Sequence, residues 1–245
     1  MQDARLFRKS NLKKRHVLWR LVIQKYWLRL LGTGSAFFLY DFINFLNSIM
    51  SSAIINSIVP DHNVRIVALW QLILALFPIP GVLLGSWLVN KIGRKWTGVA
   101  GFVGYIVLGF IIGGCYTQLT TKSIPAFVVL YGLLQCFRHM GPGATIGLTS
   151  VESYPTAVRA MGYGISAGFG KIGATIWTQV FTPIQAAAGK AATFYVAGGV
   201  GVLGAIIYCF LPEGRAVDLR VMDEEFELYM RERSYTDKAE ETSED

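Results

Sequence analysis

The sequence predicts an all-α integral membrane protein of about six spanning helices. Three observations carry that prediction. The chain is apolar, with a mean hydropathy of +0.43, and only 16% of its residues are charged, against roughly 25% in an average soluble domain. Apolar stretches of about 20 residues, the length a helix needs to cross a bilayer, recur along most of the chain. Lysine and arginine gather in alternate connecting segments, as expected where alternate loops face the cytoplasm.

Residues 1–29 form a basic lead-in with Arg5, Arg8, Lys9, Lys13, Lys14, Arg15, Arg20, Lys25 and Arg29. They read as a cytoplasmic linker or an interfacial helix on anionic lipid. This placement beside a span accounts for much of the net charge of +7 and argues against a nucleic-acid partner. A basic start without a short apolar stretch and a small-residue cleavage site is no signal peptide. Residues 30–211 form the expected bundle, with spans near 30–58, 66–89, 98–119, 124–148, 157–181 and 191–211. The first is longer than one crossing and is expected to bend or to start in the interface. Pro78, Pro80 and Gly81 are expected to kink the second.

Basic residues recur at Lys91, Arg94 and Lys95, at Arg159, and at Arg215 and Arg220, whereas the opposite loops hold only Arg65, Lys122 and Lys190. Both termini are therefore expected in the cytoplasm. Residues 212–245 form an acidic tail. Leu219, Met222, Phe226 and Tyr229 recur at helical spacing, leaving open an amphipathic helix or a frayed tail, and TDKAEETSED is expected to be disordered. Cys115, Cys136 and Cys209 fall inside spans without metal-ligand spacing and read as buried free thiols. His16, His62 and His139 form no zinc pattern, and no metal or other cofactor is expected.

Two charges interrupt the apolar runs: Asp41 in the first span and Lys171 in the fifth. A charge at mid-membrane costs about 2.5–3.5 kcal/mol on insertion scales, so such residues mark a pair, a cavity or a pathway. Steps of three, four and seven residues from Lys171 meet Gly164, Ala167, Gly168, Ala174, Thr175 and Thr178, a small and polar face that should point into the bundle. The same steps from Asp41 meet Gly34, Phe37, Phe38, Asn44, Phe45 and Ser48, a face suited to a ligand cavity. A structural ion pair is the competing reading of the two charges. Phe37, Phe38 and Phe45 serve either as stacking surfaces or as core. Arg138 and His139 are adjacent and cannot share one face, so one of them is expected in the cavity, Arg138 as positive charge for an anion or His139 as a pH sensor. Arg94, Glu152, Arg159 and Glu213 lie at span ends and read as a cytoplasmic gate, with plain interfacial salt bridges as the alternative. Pro212 reads as a helix stop. No nucleophile–base pair or nucleotide loop appears, so no enzyme is expected.

The stretch GSWLVNKIGRK resembles the loop motif of the major facilitator superfamily through Gly85, Gly93, Arg94 and Lys95, with Asn90 where that motif has aspartate. The block from Gly141 to Gly173, with Pro142, Glu152, Pro155, Arg159, Gly164, Ser166, Gly170 and Lys171, is similar to the tenth and eleventh helices of the phosphate:proton symporter family. Its nearest likeness is to the fungal glycerophosphodiester permeases. LLGTGSAFFLYDF resembles the seventh helix, whose aspartate falls on Asp41. The resemblance implies half of a twelve-helix fold, with a missing N-terminal half or partner subunit, in the plasma membrane. It also implies proton coupling at Asp41 and contact of Lys171 with the substrate's phosphate. Gly143 stands where the phosphate transporters have asparagine, and Phe45 where they have tyrosine. Both losses remove hydrogen-bond donors, and the glycine is expected to enlarge the cavity. A phosphodiester such as glycerophosphoinositol is therefore the expected cargo. The alternatives are inorganic phosphate and a truncated membrane protein that transports nothing.

Overall fold

The computed structural model describes residues 22–49, 64–211 and 218–241, and these are helical apart from short corners. Helix α1 covers 22–49, so the last residues of the basic lead-in already belong to the first helix. Then follow α2 (Val64–Leu76), α3 (Pro78–Ile92), α4 (Arg94–Gly114), α5 (Tyr116–Lys122) and α6 (Ile124–Arg138). A π turn (His139–Gly143) leads into α7 (Ala144–Glu152), then α8 (Arg159–Phe210) and α9 (Leu219–Glu241). Helices α2 and α3 adjoin at Phe77, and Pro78 starts α3, where a missing N–H costs nothing.

Two corners consist of one glycine each. Gly93 (φ 90°) turns α3 into α4, and Gly189 (φ 79°) breaks α8 into an N-terminal arm, 159–188, and a C-terminal arm, 190–210. A side chain at either position would be strained by its own backbone. Among the described residues three helices are long and apolar enough to cross a membrane: Val64–Ile92, Arg94–Gly114 and Arg159–Phe210. The last, at 52 residues, would run about 78 Å if straight, far beyond the ~30 Å of a hydrocarbon core. The break at Gly189 therefore has to fold it back. The expected count of six spans is not matched by this criterion: the two arms of α8 count as one helix, the α6–α7 run is interrupted by its π turn, and α1 is not among the three.

That turn has a local cause. Pro142 in HMGPG supplies no N–H and crowds the carbonyl four residues earlier, so the helix widens there. Glycines then clamp the widened segment. A Cβ at Gly81 would meet the Cys136 carbonyl, one at Gly85 the Met140 carbonyl, and one at Gly101 the backbone of Gly141. Without Leu-rich surfaces to drive them together in lipid, helices approach through such small residues. The core is aromatic, with Trp177, Tyr105, Tyr131, Phe102, Phe127, Phe194 and Tyr208 fully buried. Asn47 ties α1 to its neighbours: its Nδ2 donates to the Tyr105 hydroxyl at 3.0 Å, and its backbone oxygen accepts from the Tyr131 hydroxyl.

The outside carries Leu69, Leu83, Trp87, Phe110, Leu203 and Phe210, all exposed. An apolar exterior around a core bearing buried hydroxyls is what a bilayer requires. It also corrects the expectation for the thiols: Cys115 and Cys209 are exposed and Cys136 is half-buried. In lipid an apolar side chain gains little by turning inward. The tail differs from expectation too, since α9 continues to Glu241 through most of TDKAEETSED. Lys238, Ala239, Glu240 and Glu241 are good helix formers.

Candidate functional site

Helix α1 meets the N-terminal arm of α8 at two glycines. A Cβ at Gly173 would strike the Phe38 carbonyl, and one at Gly170 would lie 2.7 Å from Asp41 Oδ2. This approach brings the two intramembrane charges together. Lys171 Nζ donates to Asp41 Oδ2 at 2.9 Å. The partners are unequally placed: the Asp41 side chain is 7% exposed and that of Lys171 is 70% exposed. The carboxylate sits behind, in the packing, and the ammonium stands in front on an open face. Lys171 Nζ also lies 5.9 Å from the centroid of the Phe45 ring. Thr175 and Thr178 on the same arm are exposed, their hydroxyls turned back onto helix carbonyls.

Phe37 lies elsewhere. It is buried in the core and meets Tyr163 edge-on, with ring centroids 5.7 Å apart. Arg138 is buried at the end of α6, where its Nη1 donates to Asn44 Oδ1, on the α1 face that carries Asp41. Its Nε has no hydrogen-bond partner among the described residues. His139 turns back, its Nδ1 sharing a hydrogen bond with the Gln135 carbonyl at 3.0 Å. Of the adjacent cation and imidazole, the arginine is thus the one that reaches α1.

The space beside Gly143 is not empty. A Cβ there would lie 3.0 Å from the Tyr40 hydroxyl and 3.1 Å from the Arg138 carbonyl. The expected enlargement of the cavity by this glycine is therefore offset, because Tyr40 places a hydroxyl in the vacated space. Arg138, Asp41 and Lys171 all act electrostatically on Tyr40. Sequence reasoning did not single out this hydroxyl; its one signal is adjacency to Asp41.

The four residues read as a gate divide. Arg94 and Glu152 form an ion pair between α4 and the end of α7. Arg159 does not join it: Nη2 donates to Thr156 Oγ1 at 3.2 Å and Nε to the Tyr154 carbonyl at 3.4 Å. Glu213 lies outside the described residues. Beside this pair, α9 is the amphipathic helix that the spacing left open, and it makes a clasp whose polar ties spacing alone did not reveal. Met222 and Phe226 are buried, Phe226 in a cluster with Val22, Tyr26, Tyr154 and Val158. Arg29 Nη1 donates to the Ser153 carbonyl and to Met222 Sδ, each at 2.9 Å. Lys25 Nζ donates to the Glu225 carbonyl at 3.0 Å. Asp223 accepts from the Thr156 backbone N–H at 2.6 Å and from its hydroxyl at 2.7 Å. Those two hydrogen bonds, the side-chain one first, hold the Asp223 carboxyl below its usual range.

The family described as "Sugar (and other) transporter" matches residues 5–226. The chain is 55% identical over 238 residues to the MFS-type transporter lnaF of Aspergillus flavus, covering 96% of this chain and 48% of that protein. It is 40% identical to glycerophosphoinositol permease 1 of Candida albicans, covering 97% and 46%. A more distant similarity, 28% over 84% and 42%, is to the probable inorganic phosphate transporter 1-6 of Arabidopsis thaliana. The chain spans about half the length of the curated relatives it matches.

Proposed function

The chain belongs to the sugar (and other) transporter family, and from that premise we propose that it is the C-terminal half of a proton-coupled symporter. Its cargo is an organic phosphate anion, a glycerophosphodiester such as glycerophosphoinositol. In this reading the helices make six crossings, the two arms of α8 being the last two, and the site opens toward an N-terminal half.

The observation that carries the proposal is the asymmetry of the Asp41–Lys171 pair. An anion entering from the open face meets the exposed Lys171 ammonium first. A lysine is a point charge that readily takes a phosphoryl oxygen. Drawing Lys171 away leaves the Asp41 carboxylate buried and uncompensated, a state that costs about 3–5 kcal/mol. Taking up a proton relieves that cost. Substrate and proton therefore bind together, and when the anion leaves, Lys171 returns and the proton is released. Phe45 flanks the ammonium, the Tyr40 hydroxyl lies beside Gly143, and the buried Arg138 adds positive charge behind Asn44. The Arg94–Glu152 pair forms the cytoplasmic gate, with Arg159 held apart from it on Thr156. Support for a diester comes from the permease relatives and from the missing asparagine at Gly143.

The test is proton-driven uptake of labelled glycerophosphoinositol and of phosphate in transport-deficient cells, with the chain alone and with a matching N-terminal half. Diester uptake that needs the added half is expected. Lys171→Ala should weaken apparent affinity about 10- to 150-fold, the ~1.5–3 kcal/mol of a charged hydrogen bond. Asp41→Asn should abolish accumulation driven by a pH gradient. Phosphate uptake without diester uptake would overturn the cargo. Absence of uptake in both formats, with protein present in the membrane, would overturn the transport reading.

A further inference from the structure

Phe169 and Lys171 are two residues apart on α8, about 200° around the helix, so they face opposite ways. Lys171 faces the charged site. Phe169 faces a groove between α1 and the C-terminal arm of α8 that the transport reading does not use. Two adjoining cavities make up this groove, of about 370 and 610 Å³, and both are lined by Leu31, Ser35 and Ile207. The inner one is an apolar shaft between Phe38, Phe169, Leu203 and Ile206. The outer one reaches Arg29, the only charged residue lining either cavity among the described residues, and the adjacent Ser153.

We propose that this groove binds one anionic phospholipid, with its headgroup against Arg29 and an acyl chain along the shaft. Length supports this occupant. From Arg29 to Leu39 the groove follows ten residues of α1, about 15 Å, half of a ~30 Å hydrocarbon core and the reach of one leaflet's chain. Charge supports it as well: among the described residues no carboxylate lines either cavity, and basic pockets between spans select anionic headgroups. Location adds a third reason. Leu31, Phe169, Leu203 and Ile206 are all exposed on the side away from Lys171, where the bilayer, rather than a second transporter half at the charged site, lies against the bundle. Arg29 Nη1 also holds the Ser153 carbonyl and Met222 Sδ, so the headgroup sits beside the α9 clasp.

The experiment supplies the purified full chain in detergent with an equal mixture of phosphatidylserine and phosphatidylcholine and counts retained lipid by native mass spectrometry. Phosphatidylserine should be retained about tenfold or more over phosphatidylcholine, as one charge-assisted contact gives. Arg29→Gln should bring the two to parity. Gly34→Leu, whose side chain enters the shaft beside the Phe169 ring, should lower both alike. Met222→Ala removes Arg29's sulfur contact but not its charge, and should keep the preference. Equal retention by the unaltered chain, a preference surviving Arg29→Gln, or one lost equally in Met222→Ala would overturn the proposal. Should Arg29→Gln fail to fold, Gly34→Leu decides: retained lipid unchanged there overturns it as well.

Discussion

Gly173 and Gly170 set the distance at which Asp41 and Lys171 meet, so the pair is only as sound as the glycines beneath it. Gly173→Ala would put a methyl group against the Phe38 carbonyl, and overpacking of this kind costs about 1–3 kcal/mol. Thermal unfolding in detergent should show that loss, whereas Gly164→Ala, with open space around it, should leave stability unchanged. At Gly143, asparagine would have to displace the Tyr40 hydroxyl. Gly143→Asn should therefore reduce diester uptake, and adding Tyr40→Phe should restore part of it by removing the competing oxygen; a double variant no better than the single one would refute this. Asp41 and Lys171 were legible in the sequence because a lone charge in an apolar run announces itself. Tyr40 was not, since a tyrosine in such a run is ordinary, and its role depends on which backbone it faces. Phe37 shared the helical face of Asp41, yet the neighbouring Tyr163 draws it into packing.

Among the elements, α9 is the one whose attachment depends on pH. Asp223 is held below its usual range by its Thr156 hydrogen bonds. A carboxyl lowered by folding contributes stability that is fully present above its unfolded value, near 3.8, and is lost as pH falls through the lowered folded value. The clasp should therefore hold at neutral pH and loosen only below about pH 4. A spin label on exposed Leu228 should gain mobility in that window, and Asp223→Asn should show part of that gain already at neutral pH. Helical spacing made the buried face of α9 readable, because Met222 and Phe226 fall four apart. Its partners were not readable: Arg159 turns to Thr156 instead of Glu152 because the corner at 153–158 aims it there. The break in α8 was readable in place but not in extent. The gap expected between the last two spans, 182–190, holds the observed break, but the helix runs on through Pro183, which a long helix can accommodate, and the chain reverses only at Gly189. Gly189→Ala meets nothing within 4 Å, so its cost should be backbone strain alone, about 1–2 kcal/mol.

For the whole molecule, the exposed apolar exterior and the buried polar ties describe a bundle made to sit in lipid. Cys115, at the α4–α5 junction, is exposed, and from the alternation of basic segments we propose that it lies across the membrane from Arg94. A membrane-impermeant maleimide added outside intact cells should label Cys115, and Cys115→Ser should remove the signal; labelling only after permeabilisation would reverse the orientation. The bundle class was legible from hydropathy because burial in lipid demands long apolar runs, and Gly93 and Gly189 fall in the gaps between the expected spans; the shortness of these corners was not legible, since a single glycine can do the work of a loop. Gly189 carries that economy furthest. With one residue between its arms, α8 offers almost no peptide on that side for an antibody to grip, and an epitope tag inserted there would have to pry two helices apart.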